Sequence, residues 1–144
     1  MTDDVFAWNF PGGRLVQVVR SITLVNNTQK IEDVTVPSGE RWLLLGVKMA
    51  NMDDVDRVVS VEIYKEAAKT NLLRSLMYFT CATLKIRQFP SWPSGGISGS
   101  STFQYAPVVL EAGNTLSCIW EAGGASAGVV DVDGLVVEYL KVEI

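Results

Sequence analysis

The chain has 144 residues, 48% of them hydrophobic, with a formal net charge of −4, which suits one domain able to bury a core without disulfide or metal staples. Its acids and bases are interspersed, so it lacks the clustered Lys and Arg that grip nucleic acid or an anionic membrane, and no apolar run nears the ~20 residues of a spanning helix. It contains no histidine, which removes the usual general base near neutral pH, the commonest metal ligand, and every Ser-His-Asp, Cys-His or His-zinc arrangement.

The chain opens with VFAWNFPGG (5–13), in which Phe6, Trp8 and Phe10 alternate before a Pro-Gly-Gly breaker. In an extended chain these rings project to one side. They suit either a first strand on the chain's own sheet or an arm that pairs with another subunit. Residues 1–13 are therefore read as an extended arm and 14–144 as a single domain.

RLVQVVRSITLV (14–25) is rich in β-branched residues and predicts a half-buried strand, ended by the turn Asn26-Asn27-Thr28. KIEDVTV (30–36) predicts a second strand, closed by Pro37-Ser38-Gly39. RWLLLGVKMA (41–50) is the most apolar segment and predicts a central strand. NMDDVD (51–56) reads as a charged, solvated loop tip, and RVVSVEIY (57–64) as a cleanly alternating strand. Residues 65–80 fit either a short helix or a hairpin with a polar tip at 65–71, and the strand-rich surroundings favour the hairpin. In that reading Leu73, Ser75, Met77, Phe79 and Cys81 share one face of a strand running on toward Ile86.

FPSWPSGGISGSS (89–101) is a long Pro-, Gly- and Ser-rich loop. Strands are predicted over 102–110 and 115–121. The last strand, 135–143, is entered through Asp133-Gly134, read as a hairpin-type turn. About eight short strands with Gly and Pro turns, and at most one short helix, predict an all-β, antiparallel β-sandwich. VPSGERWLLLGV (36–47) and LEAGNTLSCIWE (110–121) echo one another as apolar residue, Gly turn and strand.

Few motifs carry chemistry. Asp131-Val132-Asp133-Gly134 starts like a calcium loop, but no acid stands where the loop's end requires one. Glu62, Glu111, Glu121 and Glu138 lie in or beside strands, so a glycosidase-like pair can be imagined, although no spacing singles one out. No P-loop or GxGxxG follows a strand. No catalytic residue, cofactor or metal ligand is therefore expected, and the protein is read as not an enzyme. The N-terminus MTDD lacks a basic region and an apolar stretch, so no signal peptide is expected, and Cys81 and Cys118 are expected as buried thiols. Phe89 and Trp92 suit an exposed recognition tip, or a cap that folds back over an open end of the sandwich.

At VPSGERWLLLGVKMAN, RVVSVEIY, VLEAGNTL and DGLVVEYLKV the chain resembles the small jelly-roll β-sandwich structural proteins of tailed bacteriophages, of the capsid decoration (cement) type. The likeness spans about residues 34–143 and rests on strand entries rather than a binding site. It implies a jelly roll, commonly a homotrimer, on the outside of a virion assembled in the host cytoplasm, with the major capsid protein or another virion protein as partner. Phe6, Trp8 and Phe10 would engage a neighbouring chain. The alternative is a carbohydrate- or receptor-binding module of a phage fibre or tail that presents Phe89 and Trp92.

Overall fold

A computed structural model describes residues 12–90 and 108–144. Nine strands are present among the described residues: β1 Arg14–Leu24, β2 Lys30–Thr35, β3 Glu40–Asn51, β4 Arg57–Tyr64, β5 Leu72–Cys81, β6 Lys85–Phe89, β7 Val108–Leu110, β8 Thr115–Trp120 and β9 Val129–Glu143. No helix occurs among these residues. One sheet has the order β1-β9-β3-β6 with β7 also on β3, and the other the order β2-β8-β4-β5.

The pairing explains the winding. β1 pairs β9, β2 pairs β8, β3 pairs β6 and β4 pairs β5, all antiparallel. The chain is thus one long hairpin folded at the β4–β5 turn and rolled up, which brings β3 against β9 and β4 against β8. That is the double Greek key of a jelly roll, and the all-β sandwich expected from the turn spacing is observed.

Inward residues of both sheets form one core, with Ile22, Val47, Met49, Val59, Val61, Leu116, Trp120, Leu135 and Val137 fully buried. Trp120 donates its indole N–H to the Ala50 carbonyl at 2.9 Å, a bond from one sheet to the other. Trp42 stacks on Tyr139 with ring centroids 3.7 Å apart. At the open side, Arg20 of β1 bonds Glu32 of β2 at 2.7 Å.

The hairpin favoured for 65–80 is present. The carboxylate of Glu66 accepts hydrogen bonds from the Thr70 hydroxyl (2.6 Å), the Thr70 N–H (2.7 Å) and the Asn71 N–H (2.9 Å). These bonds hold its acidity at about pKa 2, and Lys69 takes the left-handed conformation (φ 57°) that rounds the tip. The echoing turns lie side by side, since the Val36 N–H bonds the Asn114 carbonyl and the Gly113 N–H bonds the Val36 carbonyl, both at 2.9 Å.

Three sequence readings are corrected. The strand after the hairpin does not run on toward Ile86: β5 ends at Cys81, and after Leu84 (φ 59°) the chain crosses to the other sheet as β6. A bulge opposite Val61 and Glu62 also breaks its alternation, so Met77, Phe79 and Cys81 face inward while Leu73 is exposed. Asp133-Gly134 is no hairpin turn, because β9 runs through it from Val129. The register there jumps from Arg20↔Leu135 to Ile22↔Asp131, so residues 132–134 form a bulge against Ser21. A Cβ on Gly134 would sit 2.6 Å from Ile22 Cβ, which explains the glycine by close approach.

Candidate functional site

Phe6, Trp8, Phe10 and Trp92 lie outside the described residues. Phe89 does not serve an exposed tip. It ends β6 opposite Val47 and is buried in the core. Alternation along KIRQF turns it inward with Arg87, which leaves the recognition-loop reading without its first aromatic.

The four candidate carboxylates do not converge. Glu62 faces outward from the β2-β8-β4-β5 sheet, where it accepts the Tyr64 hydroxyl at 3.2 Å. Burial, then the Glu62 charge, pushes the Tyr64 phenol above its ordinary pKa. Glu138 faces outward from the other sheet, on the far side of the sandwich. Glu111 follows β7 and pairs Arg41 at 2.9 Å, while Glu121 follows β8 and accepts Gln29 at 3.0 Å. β8 separates the latter two along its length. No group of three or more metal-ligating side chains occurs among the described residues.

Asp53, read from sequence as part of a solvated tip, is instead buried against Arg57. The side chains of both are fully buried, with Nη2 and Oδ2 2.9 Å apart. The Arg57 guanidinium also donates to the carbonyls of Val25 (2.8 Å), Thr28 (3.0 Å) and Glu121 (3.0 Å). Asp53 Oδ1 accepts the N–H groups of Asp54 (2.8 Å) and Gly128 (3.2 Å). Asn51 adds bonds to the carbonyls of Val55 and Cys81, both at 2.9 Å. Burial alone would raise the Asp53 pKa, but these N–H groups and the guanidinium outweigh it and hold the carboxyl well below its usual range. The group ties the β1–β2, β3–β4 and β8–β9 connections, and the end of β5, into one rigid end. Its sequence signal was an Arg four residues after the first acid of an acidic run; only burial shows the difference from a solvated pair.

Each outer face mixes polar and apolar rows. Across β2, β8 and β4 two outward rows are polar, Asp33, Ser117, Glu62 and Thr35, Thr115, Tyr64, while a third runs Ile31, Ile119, Ser60 and on to Tyr78 of β5. Lys69 reaches back from the hairpin tip to Asp33 at 3.0 Å. Across the opposite sheet, Leu15, Leu140, Leu43 and Val109 form one continuous outward row from β1 to β7. Leu43 is buried at its centre, while Leu15 and Val109 are 62% and 43% exposed. Beyond the intervening Gln17 and Glu138, Val19 and Val136 lie in the next outward row beside Lys48, and Val130 further along β9 is 63% exposed. Antiparallel sheets usually put polar residues on a solvated face, and an apolar row such as Leu15 to Val109 suits a contact surface.

Cys81 and Cys118 are free thiols with no exposure. Burial pushes both above the ordinary thiol range, so neither is a poised nucleophile.

No family model matches this chain, and no curated protein matches it in sequence. Among solved structures it is similar to a chain described as "Structure of infectious bursal disease virus Gx strain", at 7% identity and a TM-score of 0.45. The likeness covers 89% of this chain and 33% of that one, so this chain spans about a third of its length. A likeness this distant bears on neither function nor partner.

Proposed function

We propose that this protein is a non-enzymatic virion structural protein that works by surface contact, as a capsid-decorating jelly roll of the phage cement type. The observation that carries the reading is the apolar outward row Leu15, Leu140, Leu43 and Val109 across the β1-β9-β3-β6 sheet, a feature suited to cover by protein rather than to small-molecule chemistry. The phage assignment comes from the strand-entry motifs between about residues 34 and 143. Phe6, Trp8 and Phe10 act as a latch that engages a neighbouring virion subunit, and a homotrimer is the expected state on the capsid.

The test is addition of purified protein to phage heads stripped of their decoration, with retention after sedimentation as the readout. Wild-type protein should co-sediment, and the full-length F6A/W8A/F10A variant should lose at least tenfold in retention while keeping its far-ultraviolet circular dichroism. Equal retention of the triple variant would remove the latch. No retention of folded wild-type protein on any such head would remove the cement reading.

A further inference from the structure

We infer that the outward face of the β2-β8-β4-β5 sheet holds a site for one hard divalent cation of the calcium class, bound by the carboxylates of Asp33 and Glu62 and by the hydroxyl of Ser117 between them. Such a site stands apart from the virion reading and does not depend on it.

The strand register builds the site. Ser117 of β8 pairs Asp33 of β2 on one side and Glu62 of β4 on the other, so the three side chains stand in one row. Leu116 and Cys118 on either side of Ser117 belong to the core, and alternation therefore sends Ser117 outward between the two acids. Adjacent strands lie ~4.8 Å apart, which puts the Cα atoms of the two acids roughly 10 Å from each other. Side chains leaning in from both ends narrow that gap to the ~5 Å spanned by two calcium–oxygen bonds.

The hydroxyl is the anomaly. Ser117 has no exposed surface, and its Oγ is the one buried side-chain oxygen or nitrogen among the described residues without a hydrogen-bond partner. Thr115, one row along β8 and equally buried, is satisfied by Thr35 at 2.9 Å. Leaving a buried hydroxyl unpaired is costly. Ionised carboxylates offer only acceptors, so a cation is what completes all three groups at once. All the donors are oxygens and the chain has no histidine, which selects a hard ion, and the irregular donor set suits calcium better than the strict octahedron of magnesium.

The protein already brings a positive charge here. Lys69, in the connection between β4 and β5, reaches the far edge strand β2, where its ammonium lies 3.0 Å from Asp33 Oδ2 and 3.4 Å from Oδ1. It supplies one charge against two acids and leaves Ser117 Oγ unpaired. Both partners of this ion pair are partly exposed, so the pair is weak and a divalent ion can displace it. Tyr64 senses both acids: burial, then the charge and hydrogen bond of Glu62 and the charge of Asp33, raise its pKa. The two carboxylates therefore act on one place.

The test is calcium chloride titrated into the full-length chain at fixed ionic strength, followed by calorimetry and by backbone amide shifts, beside D33N, E62Q, S117A and K69M. With two acids, and the rest of the sphere left to the hydroxyl and water, the wild type should take up one calcium per chain with half-saturation at about 10⁻⁴–10⁻³ M. The amides of Asp33, Glu62, Ser117 and Lys69 should move. D33N and E62Q should weaken binding at least tenfold and S117A at least threefold, whereas K69M should tighten it at least threefold because the competing ammonium is gone. Thermal midpoints give a second readout. Without calcium, S117A should melt no lower than the wild type, because the hydroxyl it removes has no partner; with saturating calcium the wild type should gain more than S117A. No calcium uptake by folded wild type would overturn the inference, as would S117A binding as tightly as the wild type. Amide shifts centred on 53–56 or 131–133 would overturn it by placing the ion at another acidic cluster. A lower midpoint for calcium-free S117A would do the same, since Ser117 would then have a partner.

Discussion

Arg57 sits at the centre of the buried cluster that closes one end of the sandwich. Its side chain has no exposure, and it satisfies three backbone carbonyls as well as Asp53. Removing one partner of a buried ion pair strands the other and costs ~3–5 kcal/mol, so R57A should lower the urea midpoint by that equivalent and loosen 25–28 and 121–128. The pH dependence follows from Asp53. Its folded pKa is lowered to about 2, below the ~3.9 of an ordinary aspartate. Its stabilising contribution is therefore complete above about pH 4 and is lost as pH falls toward about 2. Urea midpoints of wild type and R57A at pH 6, 4 and 3 should converge as the pH drops. A constant gap between them would show that Asp53 does not titrate as the geometry requires.

At the scale of elements, β9 is the central strand that holds its sheet together, since it pairs β1 along one side and β3 along the other. The bulge at residues 132–134 lets this long strand follow the sheet's curvature, and it depends on Gly134. A Cβ there meets Ile22 Cβ at 2.6 Å and Cγ1 at 2.8 Å, and overpacking of this kind costs ~1–3 kcal/mol. G134A should fold with that loss and with faster amide exchange in Ile22–Leu24, whereas unchanged exchange would mean that the bulge tolerates a side chain. The same segment shows why the sequence misled. Asp-Gly between apolar runs is a strong hairpin signal, but a long strand that must bend uses the same residues for a bulge.

Taken whole, the molecule keeps both of its thiols inside. Cys118 sits between the sheets opposite Val61, and Cys81 closes β5. Both thiols should therefore resist Ellman's reagent in native buffer and react at the rate of unfolding once urea is added. Prompt reaction of either in the native state would mean that the core opens locally.

The alternation in RVVSVEIY, the apolar run in RWLLLGVKMA and the regular turns were enough by themselves to determine strands, a sandwich and the hairpin at 65–71, because side-chain period and turn chemistry are local properties. The order in which the strands pair, the burial of Asp53 by Arg57, the inward turn of Phe89 and the apolar outer row from Leu15 to Val109 were decided only by the tertiary structure. Each depends on which strand lies beside which, and residues as far apart as Leu15 and Leu140 become neighbours only when the long hairpin rolls up.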